Sequence, residues 1–274
     1  MTAVDVFDVK GRVVLVTGGC GLLGRHFARA LLARGAKVAV LDAARVNLAT
    51  EDSAFADCAK DGRFIQCDTD VVSRASLESA VAAVERQLGV PYGLVNSAAI
   101  DTPPNAPASQ NGPFEEFPLE VWNRVMAVNV TGTMLACQVV GARMRTAGRG
   151  SIINISSTYG MVSPDQRIYE HRRTQSDEFY KPISYAASKS AIFNMTRYLA
   201  TYWGATGIRV NTLSFGGVFN HQDPVFMRAY ESRTPLGRMA RAEEYEGAIV
   251  FLMSDASSYM TGSNMVVDGG WTAW

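Results

Sequence analysis

Seven short apolar runs recur along the chain, at residues 12–17, 37–41, 63–67, 92–96, 151–156, 208–213 and 265–267. Each is rich in Val, Ile and Leu and reads as a continuous run, the pattern of a strand covered on both faces in a parallel sheet. Between them the apolar period lengthens. Residues 26–34 read as a helix stopped by Gly35, and 73–88 carry Leu77, Ala80, Val81, Val84 and Leu88 as one stripe closed by Gly89. Further helices are expected over 119–145, with Asn129 inside, over 184–199 and over 243–253. Strands and helices alternate from end to end with no repeat and no break in composition. This predicts one doubly wound α/β domain over residues 1–274, a parallel sheet with helices on both faces. Three polar stretches interrupt the alternation: the proline-rich 101–118, the segment 158–183 and the segment 221–241.

With 274 residues and 47% hydrophobic content the chain can bury a large core. Lys plus Arg and Asp plus Glu both number 26, so nothing in the charge balance favours nucleic acid or an anionic membrane. No apolar run approaches the roughly 20 residues of a membrane span, and residues 1–8 carry two acids with no basic-then-apolar leader. Cys20, Cys58, Cys67 and Cys137 lack C-x-x-C spacing, and His26, His171 and His221 are scattered. Free thiols, a reducing cytoplasm and no metal are the expectations.

The first strand runs straight into Gly18-Gly-Cys-Gly-Leu-Leu-Gly24 and then a helix. Strand, glycine turn and helix form the context in which Gly19-x-Gly21-x-x-Gly24 signifies a Rossmann-like dinucleotide site. Without Cβ atoms the backbone turns tightly and approaches a pyrophosphate, which meets the helix N-terminus. Asp42 ends the second strand. A carboxylate there accepts from ribose hydroxyls and repels a 2′-phosphate, favouring NAD(H) over NADP(H), with Arg45 nearby as an opposing charge. Asp68, at the end of the third strand, lies where loops line the ligand crevice.

Tyr185 and Lys189 stand four apart in Ser184-Tyr-Ala-Ala-Ser-Lys189. On a helix both rise from one face. An ammonium beside a phenol favours the phenolate, so the Tyr185 pKa is expected to fall from about 10 toward neutrality, a shift worth roughly 4 kcal/mol. A phenol so tuned exchanges a proton with an alcohol or carbonyl oxygen.

Taken together, the motifs resemble the short-chain dehydrogenase/reductase family over nearly the whole chain. The marks are Thr17-Gly-Gly-Cys-Gly-Leu-Leu-Gly24, Asp68, Asn96-Ser-Ala-Ala99, Asn129, Asn154-Ile-Ser-Ser157, Tyr185-x-x-x-Lys189, Arg209-Val-Asn211 and Asp268-Gly-Gly270. The resemblance implies roles. Tyr185 is the acid/base, and Lys189 lowers its pKa and holds the nicotinamide ribose. Ser157, preferred to Ser156 as the fourth residue of Asn-x-x-Ser, bonds the reacting oxygen. Asn129 positions a water behind Lys189. The cofactor is implied to meet Gly18, Gly19, Cys20, Gly21, Leu22, Leu23, Asp42, Asp68, Thr69, Asn96, Ser97, Ala98, Tyr185, Lys189, Gly216 and Val218. Three departures stand out. Leu22 replaces a glycine usual in compact members and looks like the longer sugar-nucleotide branch; Phe215 replaces the usual proline; and Ser157 and Tyr185 lie 28 apart (185 − 157), about twice the usual spacing.

The extra residues 158–183 leave and return beside the catalytic positions, so they and the loop 219–241 are expected to shape the substrate pocket. Ile168–Glu170, Thr196–Ala200 and Tyr230–Arg238 look most like flagellin modification protein A-type oxidoreductases. That likeness implies a secondary alcohol or ketone on a sugar or nucleotide-sugar in surface-carbohydrate biosynthesis. A dehydratase or epimerase that recycles its NAD, and a non-catalytic cofactor-binding scaffold, remain alternatives. Family likeness further implies a homo-oligomer, dimer or tetramer, built on the helices 119–145 and 185–206.

Overall fold

The computed structural model describes residues 5–101, 108–173 and 179–274. Seven described strands form one parallel sheet: β1 (Val13–Thr17), β2 (Lys37–Asp42), β3 (Phe64–Asp68), β4 (Gly93–Asn96), β5 (Gly150–Ser157), β6 (Ile208–Phe215) and β7 (Asn264–Val267). Their order is β3-β2-β1-β4-β5-β6-β7, and every pairing is parallel. The order reverses at β1, so a crevice opens between the carboxyl ends of β1 and β4.

Seven longer helices cover the faces: α1 (Leu22–Ala33), α2 (Ser53–Lys60), α3 (Arg74–Gln87), α4 (Leu119–Ala147), α5 (Ile183–Trp203), α6 (Pro224–Glu231) and α7 (Glu246–Met253). Successive strand residues point to opposite faces. Val14, Val16, Val38 and Val40 accordingly pack under Phe27, Leu31, Ile249 and Leu252 of α1 and α7. Val13, Leu15, Ala39 and Leu41 pack over Leu77, Val81, Val140 and Trp203 of α3, α4 and α5. Both sets are buried, which is why the strand sequences read as unbroken apolar runs.

Two elements differ from expectation. The helix α4 is continuous as predicted, but residues Ala127–Gly132 around Asn129 form a π turn. Such bulges are frequent at functional sites. By length and a mean hydropathy of 1.5 this helix could cross a membrane, yet half of that window is buried against the sheet and its neighbours. Polar Asn129, Thr131 and Thr133 interrupt its apolar run, which is why the sequence showed no such span. The stretch 221–241, expected to lack a helical pattern, contains α6. Asp223 caps its N-terminus by accepting from the Val225 N–H, and Pro224 stands at its first position.

The segment 158–183 is no simple surface excursion. Thr158–Met161 and Gln166–Arg172 form short helical turns, and residues 174–178 lie outside the described residues. Tyr159, Ile168, Tyr169 and Phe179 from this segment join Phe226 and Tyr230 of α6, Met239 and Trp271 in a third buried cluster. His171 Nε2 meets the Asp223 carboxylate at 2.6 Å across the same seam. The part of 101–118 between 102 and 107 also lies outside the described residues.

Candidate active site

A cavity of about 840 Å³ runs over the carboxyl ends of the strands, from the glycine turn to Tyr185. That is within the range of cofactor and small-molecule sites, roughly 300–1,000 Å³. At one end Gly18, Cys20, Gly21, Leu22, Leu23 and Gly24 line it. The turn depends on two bare glycines. Gly18 has φ +65°, and a Cβ on Gly24 would stand 2.2 Å from the Gly18 carbonyl oxygen. Gly19 is different: it does not line the cavity, and its Cβ would press into Val40, so it serves the packing of the turn on β2.

Asp42 lines the same end. Its Oδ2 accepts from the Cys20 N–H at 2.8 Å and its Oδ1 from the Ala44 N–H at 2.9 Å. Each carboxylate oxygen keeps acceptor capacity for a ribose hydroxyl. The cradle therefore fits a dinucleotide on observations of its own: a turn closed to side chains and an anchored carboxylate beside it. Burial, then Asp42, push the Cys20 thiol up to about 11, so it stays protonated.

Asp68 requires a correction. It ends β3, is exposed, and borders a separate hollow with Arg45 and Gln66. The cavity is lined by Thr69, Asp70 and Val71 instead. Asp68 ends the strand as expected, but it borders the other hollow, and the second acid of Asp68-Thr-Asp70 lines the cleft instead. Ser97 and Ala98 line the cavity as expected, and their N–H groups both donate to Thr17 Oγ1 at 3.2 Å. Asn96 does not line it. Its carboxamide is buried and donates to Asn154 Oδ1 at 2.8 Å, while Asn154 donates to Thr196 and Thr212 to Thr196 in turn. This polar ladder ties β4, β5, α5 and β6 together beneath the site.

At the other end, β5 delivers Ser157 and the first two turns of α5 deliver Tyr185 and Lys189; all three line the cavity. Ser157 Oγ accepts from the Tyr159 N–H at 3.2 Å and lies near enough to the Tyr185 phenol to favour the phenolate. Ser156 is committed elsewhere, donating to the Lys189 carbonyl at 2.8 Å. That commitment supports Ser157 over Ser156. Lys189 is buried, with Nζ donating to the Ile155 carbonyl at 3.0 Å and lying 5.7 Å from the Tyr185 ring centroid.

The expected fall of the Tyr185 pKa does not occur in the protein alone. Burial, then the negative charge of Asp101, push it well above 10, and Ser157 only partly offsets them. Burial lowers Lys189 to about 8. The four-residue spacing brought the two groups together, but the desolvation of both in a closed cleft outweighs their attraction.

Asn129 sits one layer below. Its Oδ1 accepts from the Ile100 N–H at 2.8 Å, and its Nδ2 donates to the Ile100 carbonyl and to Ser188 Oγ, each at 3.0 Å. Ser188 donates to the Tyr185 carbonyl at 2.7 Å. The carboxamide thus clamps the β4 loop to α5, and its bonds go to Ile100 and Ser188 rather than to Lys189. Gly216 and Val218 line the cavity beside Phe215, and the Val218 carbonyl already accepts from Gln222 Nε2 at 2.7 Å. Phe215, in the place of the usual proline, packs on Phe27 and Tyr245.

Sequence reading missed the residues that close the substrate end: Tyr159, Tyr169, Phe226, Tyr230 and Met239, with Asp101 and Lys181. Only their position in the two long loops pointed toward them. Arg209 and Asn211, two family marks, hold the 252–263 segment rather than the site. No group of three or more His, Cys, Asp or Glu side chains able to hold a metal occurs among the described residues.

Comparison with known proteins agrees with this architecture. Residues 22–272 match the family model described as Enoyl-(Acyl carrier protein) reductase. The chain is 34% identical to a D-threitol dehydrogenase of Mycolicibacterium smegmatis, over 97% of this chain and 95% of that one. It is 35% identical to a 3-alpha-(or 20-beta)-hydroxysteroid dehydrogenase of Mycobacterium bovis, over 96% and 90%. Among solved structures, a gluconate 5-dehydrogenase from Burkholderia cenocepacia in complex with NADP and tartrate superposes with a TM-score of 0.83 at 28% identity, covering 98% of both chains. A short-chain dehydrogenase from Leptospira borgpetersenii with bound NAD+ does so at 0.83 and 32%, covering 99% and 97%. The chain belongs to the short-chain dehydrogenase/reductase family. The chain and these relatives match over nearly their whole lengths.

Proposed function

We propose that this protein is an NAD(P)-dependent dehydrogenase that interconverts a secondary alcohol and a ketone on a carbohydrate-like substrate such as a polyol. The observation that carries the reading is the meeting of Ser157, Tyr185 and Lys189 at the end of one cleft whose other end is the glycine turn with Asp42. The nicotinamide, when bound, supplies hydride exchange with the substrate carbon. The chain supplies the rest. Ser157 holds the reacting oxygen, Tyr185 gives or takes its proton, and Lys189 offers its ammonium to a ribose hydroxyl and to the phenolate that forms. Asn129 acts as a positioning residue through Ile100 and Ser188. The segments 158–183 and 219–241 form the substrate side of the single domain, and the enzyme works in the cytoplasm.

Absorbance of NADH or NADPH, followed with purified protein and a panel of polyols, free sugars, nucleotide-sugars and simple alcohols, tests this. Reduced cofactor should accumulate with polyol-type substrates. Silence across the panel despite measurable cofactor binding would sink the net dehydrogenase reading and favour internal recycling of the cofactor.

The narrower reading, a flagellin-modification type enzyme of surface-carbohydrate biosynthesis, rests on sequence marks that this fold uses for packing. Ile168 and Tyr169 are buried in the third cluster, Thr196 belongs to the polar ladder, and Tyr230 receives the Gly217 N–H. Turnover of nucleotide-sugars with neglect of free polyols would be needed to carry it.

Asp42 favours NAD. Asp42→Ala should lower kcat/KM for NAD about tenfold or more and raise the NADP/NAD ratio by a larger factor, because a fixed negative charge near a 2′-phosphate is removed. An unchanged ratio in the same coupled assay would show that Asp42 does not read the ribose.

The protein is also inferred to form a homo-oligomer through the outer faces of α4 and α5. There Leu119, Tyr198 and Tyr202 are exposed, and the two tyrosine rings stack at 6.1 Å. Sedimentation should show a dimer or tetramer; a monomer at micromolar concentration would overturn this.

A further inference from the structure

We propose that the Asp101–Lys181 ion pair recognises a second hydroxyl of the substrate, on a carbon next to the reacting one, and so selects polyols over simple alcohols. The inference rests on the dehydrogenase reading above and names the feature that sets its specificity. Lysine is seldom buried, yet Lys181 is 7% exposed and lines the same cleft as Ser157 and Tyr185. Its Nζ lies 5.2 Å from the Tyr185 ring centroid and donates to Asp101 Oδ2, from the loop after β4. An ammonium in such a place is tolerated only with a partner, and Asp101 is one.

The inserted segment is built to hold this lysine. Gln166 Oε1 accepts from the Lys181 N–H at 2.9 Å, and Gln166 Nε2 donates to the Lys181 carbonyl at 3.0 Å. Arg173 fixes both flanks, donating to the Gln166 carbonyl at 2.8 Å and to the Phe179 carbonyl at 3.1 Å. A backbone held so firmly, with the ammonium set against Asp101 beside the acid/base, is pre-organised for recognition.

The chemistry of the pair selects the ligand class. An ammonium donates and a carboxylate accepts, so one hydroxyl can accept from Lys181 while donating to Asp101. The pair has no net charge, which suits a neutral polyol; a carboxylate in that place would be repelled by Asp101. A substrate lacking the hydroxyl displaces water from the buried Lys181 ammonium and offers no acceptor in its place, and sites of this kind reject such analogues strongly.

The test uses two matched pairs, butane-2,3-diol against butan-2-ol and cis-cyclohexane-1,2-diol against cyclohexanol, with saturating cofactor. Wild-type protein should favour each diol by about a hundredfold or more in kcat/KM. In the neutral variant Asp101→Asn/Lys181→Met the diol preference should collapse to about threefold or less; loss of the Asp101 charge also reaches Tyr185 and shifts diol and mono-alcohol rates alike, so the ratio within each matched pair is the readout. Lys181→Arg should retain part of the preference. The double variant removes both charges of the pair together, and its thermal midpoint and cofactor affinity establish that it folds. An unchanged diol to mono-alcohol ratio in the double variant would show that the pair acts only through Tyr185 and would overturn the proposal. So would a wild-type enzyme that turns over mono-alcohols with no diol advantage, and that result would leave the dehydrogenase reading intact. Turnover of none of the four would count against the dehydrogenase reading itself, and against this inference with it.

Discussion

Replacing Tyr185 by phenylalanine is expected to lower kcat about a thousandfold while leaving the Kd for the cofactor within about twofold. The ring itself is packed between two cations, with Lys181 and Lys189 Nζ at 5.2 and 5.7 Å from its centroid. Phenylalanine keeps that ring and removes only the hydroxyl that meets Ser157. What is lost is proton transfer, worth typically 10²–10⁴ in rate. A thousandfold corresponds to about 4 kcal/mol of barrier. The cofactor cradle at Gly18–Gly24 and Asp42 lies at the far end of the cavity, so binding should persist. Fluorescence titration with NADH beside steady-state rates would separate the two effects. Activity within tenfold of wild type would mean that another group moves the proton, and Tyr159 and Tyr169, whose hydroxyls meet at 3.1 Å nearby, would then be the first to examine.

The fold was largely legible because parallel strands covered on both faces leave a simple signature. All five residues of β1 are buried, and so are the four inner residues of β2. No side chain there reports to solvent, and the run of Val and Leu says so directly. Helix α6 was not anticipated, because its apolar stripe is short: Phe226 and Tyr230 are its two buried residues. Periodicity over eight residues is weak, and the Asp223-Pro224 cap was the local signal that marks its start.

Site residues divide along a different line. Gly18, Gly24, Ser157, Tyr185 and Lys189 were readable because their chemistry follows from local sequence: a turn that admits no Cβ, or two groups one helical turn apart. Asp68 and Asn96 were misplaced because a polar residue at a strand end can face either way. The deciding facts, which hollow the end of β3 borders and a cross-strand bond to Asn154, are tertiary. Asp101 and Lys181 are 80 apart in sequence and meet through the return of the insertion. No spacing rule announces such a pair. The ionisation of Tyr185 was misjudged for a related reason. Spacing gives the distance between charges, whereas burial sets the dielectric in which they act.

That same burial gives Lys189→Met a signature beyond lost activity. The rate should fall by about a hundredfold or more, since the cation that serves the phenolate and the ribose hydroxyls is then gone and Lys181, the other cation near the ring, is already paired with Asp101. The stability curve should change as well. In the folded protein Lys189 titrates near 8, against 10.5 for an ordinary lysine. Between those values the unfolded chain holds a proton that the folded protein lacks, so wild-type stability should rise with pH across this window. Below about 8 both states are protonated and the cost of burying the ammonium is fully present. A gap of this size corresponds to about 3 kcal/mol. Tyr185 acts in the opposite sense and later. Its folded pKa is raised, so stability is lost only above about 10, where the unfolded phenol ionises. The interval from about 8 to 10 therefore isolates the lysine. Urea unfolding at pH 7, 8, 9 and 10 should show wild type gaining about 2–3 kcal/mol relative to Lys189→Met, with the gain confined to that interval. Parallel pH curves would mean that the amine is well solvated, and the account of the cleft as a desolvating site would fail. A rising wild-type curve would show that the folded state carries a cation at a cost near neutral pH, in the one place where an acid/base tyrosine needs it.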